Sequence, residues 1–107
     1  MASQAETVSS RQAVLDYINS QMVRFRATYR VRKIALIGSF ARNEQTSSSD
    51  IDLLVDLERG TPNIHQVKQT LKTELEGQFG RTVEIASERY LKPYYRKQIL
   101  QEAIYVQ

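Results

Sequence analysis

Two aspartates, Asp50 and Asp52, stand two residues apart at the head of the apolar run Ile51-Asp52-Leu53-Leu54-Val55. In a strand, residues i and i+2 project to the same face, so the two carboxylates would sit side by side. At a separation of about 6–7 Å and an effective dielectric near 20, they repel by about 2–3 kcal/mol. Partial burial adds a desolvation cost. A divalent cation reverses the sign, because Mg²⁺ is satisfied by a few carboxylates with phosphate oxygens completing its shell. Upstream, Gly38-Ser39 follows the apolar run Ile34-Ala35-Leu36-Ile37 and precedes a polar, Ser-rich segment. A small-residue turn lets the backbone approach a ligand closely, and N–H groups at the start of a helical turn suit an anion. A third acid, Glu84, lies between Val83 and Ile85. Strand interiors disfavour Asp and Glu, so folding alone explains three acids in two apolar strands poorly. The combination suits a metal-bound nucleoside triphosphate, with Asp50, Asp52 and Glu84 toward the metal and Gly38-Ser39 toward the phosphates.

The elements that must position these residues are legible from periodicity. From about Val8 to Tyr29, Leu15, Ile18, Met22 and Phe25 recur at helical spacing, with Val14 widening the stripe. Lys33–Ile37 has strand composition, Ser39 to about Asn43 suits one helical turn, and Glu44–Ser49 suits a mobile polar loop. Asp50–Leu57 is expected as a strand with Ile51, Leu53 and Val55 on one face. Leu54 falls on the carboxylate face, so the strand should be central and covered on both sides. Asp56 shares that face and is expected in a turn at the far end. Gly60-Thr61-Pro62 breaks the chain, and a helix is expected over about Asn63–Gln78, burying Ile64, Val67, Leu71 and Leu75, with Gly77 and Gly80 as candidate stops. Thr82–Ala86 suits a third strand. Pro93 opens a last helix with Ile99, Leu100, Ala103 and Ile104 as its stripe. Alternating strands and helices predict an α/β (α+β) architecture with about three main strands flanked by helices.

The 107 residues suit one domain over 1–107, with 1–7 as a frayed tail. The absence of cysteine excludes disulfides and thiolate zinc sites. No apolar run has membrane-spanning length and no signal-peptide pattern is present, so a cytoplasmic location with no membrane partner is expected. The net charge is +3. Arg24, Arg26, Arg30, Arg32 and Lys33 crowd ten residues without an acid. They could complement a helix C-terminus or bind an anionic partner. No aromatic interleaving marks a nucleic-acid platform, so direct nucleic-acid binding is not expected. His65 is expected at the surface. Tyr90, Tyr94, Tyr95 and Tyr105 suit amphipathic packing at a helix edge, or else a partner surface.

The string Gly38-Ser39-Phe40-Ala41-Arg42, ten residues from Gly38-Ser39 to Asp50, then Asp50-Ile51-Asp52-Leu53-Leu54-Val55, resembles the signature of the DNA polymerase beta-like nucleotidyltransferase superfamily. It is most similar to the minimal, MntA-like antitoxins paired with HEPN-domain ribonuclease toxins. Gly80-Arg81-Thr82-Val83-Glu84 and Ile99-Leu100-Gln101-Glu102-Ala103 extend the resemblance over roughly residues 10–106. The family's usual third acid is Asp; here Glu84 carries the carboxylate one methylene, at most about 1.5 Å, further out. The resemblance implies the small nucleotidyltransferase fold and Mg²⁺-dependent transfer of AMP from ATP to a tyrosine hydroxyl of a cognate HEPN toxin, which is thereby neutralised. Asp50 and Asp52 would hold the metals, Glu84 would complete the second metal position and take the acceptor's proton, and Gly38, Ser39 and Arg42 would contact the phosphates. A non-catalytic antitoxin that acts by binding is the alternative, and transfer to a small molecule or RNA a weaker one.

Overall fold

A computed structural model describes residues 7–106, so the expected tail lies almost wholly outside the described residues. Helix α1 (Arg11–Tyr29) starts where the Ser10 hydroxyl accepts a hydrogen bond from the Ala13 N–H at 3.1 Å. It ends at Arg30, which adopts the left-handed conformation. Val14, Ile18, Met22, Phe25 and Tyr29 form its buried stripe, while Leu15 packs at the margin. Strand β1 (Val31–Ile37) then passes into the four-residue α2 (Gly38–Ala41). Strand β2 is Ile51–Leu57, helix α3 is Ile64–Phe79 and strand β3 is Val83–Ala86. A 3₁₀ turn at Glu88–Tyr90, helix α4 (Pro93–Glu102) and strand β4 (Ile104–Val106) follow.

The sheet has four strands in the order β3-β2-β1-β4. β1 is antiparallel to both β2 and β4, and β2 is parallel to β3 across the α3 crossover. The fourth strand corrects the expectation that Ile104 continues the last helix. The spacing of Ile99, Leu100, Ala103 and Ile104 suits a helix, but Ala103 is already extended and Ile104-Tyr105-Val106 are strand formers. They cover the free edge of β1, pairing Leu36 with Ile104 and Ile34 with Val106.

Two layers of side chains cover the sheet. Ile34, Leu36, Ile51, Leu53, Val55 and Val83 pack with the stripe of α1 and with Leu71, Leu75 and Phe79 of α3. On the other face, Ala35, Ile37 and Leu54 meet Ala86, Leu91, Ile99, Leu100 and Ala103. β2 is therefore central and covered on both sides away from its polar start. The buried side of α3 sits further along than expected: Ile64 is exposed, Val67 half-buried, and Phe79 completes the stripe. Gly80, at φ +66°, stops that helix, whereas Gly77 lies within it. Asp56 corrects a second expectation. It is a buried residue inside β2, paired in register with Lys33, rather than part of a turn. None of the described helices is long and apolar enough to cross a membrane.

Candidate active site

Asp52 occupies the centre of the acidic end of the sheet. Its register partners are Ile37 on β1 and Glu84 on β3. Register partners present their side chains to the same face, so Asp52 and Glu84 stand on one side of the sheet. Asp50 lies one residue before β2 and is exposed, as is Glu84, while Asp52 is half-buried. Burial pushes the Asp52 carboxyl above its ordinary value. The charges of Asp50 and Glu84 add to that rise, Arg42 opposes it, and Glu102 adds to it again. Asp50 from just before β2, Glu84 from β3 and Glu102 from the end of α4 thus all act on Asp52.

The small-residue turn is pressed against this spot. Gly38 has φ +75°, and a Cβ there would fall well inside van der Waals contact of the Asp52 Oδ2. Glycine is therefore required twice, for the backbone angle and for the approach of the carboxylate. Phe40 and Ala41, both buried, anchor the short helix that carries Ser39. Removing a buried Phe ring costs about 3–5 kcal/mol, so this anchor holds the turn firmly. The Arg11 guanidinium donates to the Ala41 carbonyl at 3.0 Å and fastens the turn to α1.

Arg42 is held by two acids: Nε donates to Glu44 at 2.9 Å, and Nη1 donates to Glu102 Oε1 at 2.9 Å. Glu102 also takes the Gly38 amide, which donates to its Oε2 at 2.8 Å. The Gly38 N–H expected to face phosphate is thus already engaged, and of the expected phosphate contacts the half-buried Ser39 and the Arg42 guanidinium remain. Arg81 organises the loop that leads into Asp50. Its Nη1 donates to the carbonyls of Thr46, Ser47 and Ser49 at 3.2, 3.1 and 2.9 Å, and its guanidinium lies 5.2 Å from the centre of the Phe40 ring. The loop expected to be mobile is gathered by one side chain.

The donor set fits Mg²⁺ in kind: hard carboxylate oxygens around a half-buried acid whose ionisation the site disfavours. Among the described residues, no three acidic or histidine side chains stand close enough to cage an ion unaided. Mg²⁺ does not demand such a cage, since it usually keeps waters and substrate phosphate oxygens beside one or two carboxylates.

Residues 19–106 match the nucleotidyltransferase domain family. The chain belongs to that family. This nucleotidyltransferase is 35% identical over 81 residues to the protein adenylyltransferase MntA of Thermococcus cleftensis, spanning 76% of this chain and 80% of the relative. A candidate protein adenylyltransferase of Methanocaldococcus jannaschii is 38% identical over 74 residues, spanning 69% of this chain and 77% of that protein. A solved structure described as a candidate minimal nucleotidyltransferase superimposes with a TM-score of 0.74 at 34% identity, covering 92% of this chain and 98% of that one. A toxin–antitoxin complex solved with AMP-PNP shares the fold at 19% identity, with a TM-score of 0.64, covering 83% of this chain and 72% of that one. The nucleotidyltransferase is therefore a transferase with the small mixed-sheet fold of the minimal members. Glu102 and Arg81 are the site's unforeseen residues. Both lie within strings that carry the family resemblance, but as isolated surface-type residues far along the chain they gave no separate sign of reaching the Gly38 turn and the Asp50 loop.

Proposed function

We propose that this nucleotidyltransferase is an antitoxin that transfers AMP from Mg²⁺-bound ATP to a tyrosine hydroxyl of a HEPN-type ribonuclease toxin. The observation that carries the reading is the cluster of Asp50, Asp52 and Glu84, which holds no ion pair among the described residues, with the backbone of Gly38 pressed against the Asp52 carboxylate. An acid driven up in pKa by burial and like charge is poorly suited to folding and well suited to a cationic ligand. The adenylyltransferase names of the relatives support AMP as the transferred group, and the structural neighbour solved as a toxin–antitoxin complex supports a toxin as partner.

In the reaction, the tyrosine oxygen bonds to the α-phosphorus, the bond from that phosphorus to the bridging oxygen breaks, and pyrophosphate leaves with the electron pair. Asp50 and Asp52 would hold Mg²⁺, with Glu84 toward a second metal position, and the bound ion would supply charge neutralisation for the phosphates and the attacking oxygen. The exposed Glu84 carboxylate accepts the proton of the tyrosine hydroxyl. Ser39 and the Arg42 guanidinium bind the outer phosphates and orient the α-phosphorus. Among the described residues Asp50 and Glu84 are exposed, which leaves them open to an acceptor brought by a partner. Incubating the purified protein with the toxin, Mg²⁺ and ATP labelled at the α-phosphate should move label onto the toxin. Asp50→Ala/Asp52→Ala should transfer none. Equal neutralisation of the toxin by wild type and the double variant, without label, would instead establish silencing by occlusion.

A further inference from the structure

We propose that Glu102 is a positioning residue for the nucleotide: it fixes the Gly38 turn and Arg42 in the arrangement that the triphosphate meets, and it stays in place when the nucleotide binds. The inference rests on the triphosphate-transfer reading of the site. One carboxylate spans both parts of the anion-binding corner. Oε2 accepts from the Gly38 amide at 2.8 Å and Oε1 from Arg42 Nη1 at 2.9 Å. The Glu102 side chain is 13% exposed, whereas that of Arg42 is 43% exposed. Glu102 is thus the buried anchor, and Arg42 is the group it presents to solvent.

The fold fixes Glu102 from both sides. Before it, the last turn of α4 closes with the Ala103 amide donating to the Ile99 carbonyl at 3.0 Å. After it, Ile104 pairs with Leu36 and Tyr105 with Ala35 on β1, the strand that leads into Gly38. Glu102, its backbone fixed on both sides, its side chain only 13% exposed and both carboxylate oxygens bonded, is held in place before the nucleotide arrives. With Nε committed to Glu44 and Nη1 to Glu102, the Arg42 guanidinium is set in one plane, and its Nη2 donors remain uncommitted among the described residues. Arg42 is also the cation that acts on Asp52 against the surrounding acids. Ordering these donors before the nucleotide arrives removes part of the entropic cost of binding.

Glutamine at this position can still accept from the Gly38 amide, but its NH₂ cannot accept from Arg42. Glu102→Gln should therefore weaken binding of AMP-PNP with Mg²⁺ about as much as Arg42→Ala, by roughly tenfold, a binding-type loss rather than a turnover-type loss. Arg42→Ala/Glu102→Gln should bind no more weakly than Arg42→Ala alone, because the two residues act as one unit. Glu102→Ala should lose more, since the amide contact goes too. In the ¹⁵N-labelled wild type, the Gly38 amide proton should resonate downfield and exchange slowly, as a charge-assisted donor does, both free and saturated with AMP-PNP and Mg²⁺. Loss of that resonance position or protection on saturation would mean that the nucleotide ejects Glu102, and would overturn the proposal. Additive losses in the double variant, or undiminished AMP-PNP binding by Glu102→Ala, would also overturn it while leaving the triphosphate reading intact. A wild type that binds no AMP-PNP would overturn both.

Discussion

Two acidic centres in this molecule face opposite electrostatic conditions. On the helical side, Glu74 of α3 accepts hydrogen bonds from the Arg24 guanidinium and from the Tyr29 hydroxyl, and the Arg24 bond holds its carboxyl below the ordinary carboxylate value. At the sheet end, burial and the charges of Asp50 and Glu84 push the Asp52 carboxyl in the other direction. Both are partly buried acids in one small chain, so composition does not distinguish them; partnership does. Glu74 is matched from α1 and helps bind α1 to α3. Asp52 is surrounded by further acids, and the nearby cation, Arg42, is bonded to Glu44 and Glu102 instead. The same contrast accounts for much of the basic cluster. Arg24 pairs with Glu74, Arg30 lies 3.9 Å from Glu58, and Lys33 lies 3.4 Å from Glu88. Three of the five cations in that cluster therefore stand beside an acid of the chain itself.

The sharpest way to break the contrast is at Gly38. Gly38→Ala places a methyl group against Asp52 Oδ2 and forces a non-glycine residue to φ +75°. Backbone strain of this kind costs about 1–3 kcal/mol. A displacement of about 1 Å at a reacting centre can cost about 100-fold in rate. AMP transfer should fall at least that far, with a lower thermal midpoint as the secondary effect. Unchanged transfer would show that the turn and the acid do not work together. At the paired centre, Glu74→Gln should leave transfer untouched and lower the thermal midpoint by a few degrees. Because the folded-state carboxyl of Glu74 is held below its ordinary value of 4.5, its stabilisation is complete above that value and disappears as pH falls through the lower folded value. The glutamine variant should lose this acid-limb pH dependence in melts across the same range.

How much of this was legible in the sequence follows from the range of each interaction. The order of the first three strands and the helices between them and the two-sided burial of β2 rest on periodicity, which is written locally, whereas Glu84 was brought toward Asp52 only by the resemblance. The same local reasoning placed Ile104 in a helix, because nothing near it announces that β1 has an open edge to be covered. It placed Asp56 in a turn, because an acid near a strand end is usually solvated, whereas here Asp56 lies opposite Lys33. The contacts of Glu102 and Arg81 span 64 and about 30 residues of chain. No spacing rule reaches across such separations. These contacts emerge only when α4 and β4 close on β1, and when β3 brings Gly80-Arg81 beside the loop entering Asp50.

The smallest effect tests the premise that Asp52, the proposed metal-binding acid, is a cost to the fold. Asp52 ionises less readily in the folded chain than in the unfolded one, so over the interval between the ordinary value of 3.8 and its raised folded value the folded state holds the extra proton. Stability therefore falls as pH rises through that interval, and the full penalty persists at neutral pH. Asp52→Asn removes the charge with little change of shape. It should raise the thermal midpoint near neutral pH, by no more than about 1 kcal/mol because half of the side chain's surroundings is water, which corresponds to a few degrees in a domain this size. In acid well below 3.8 the carboxyl is protonated in both states, so the two proteins should melt together. Addition of Mg²⁺ and AMP-PNP should reverse the order at neutral pH, stabilising wild type by mass action and Asp52→Asn much less. If Asp52→Asn melted lower than wild type near neutral pH without ligand, the carboxylate would be a structural partner like Glu74, and the division between the two centres would fail.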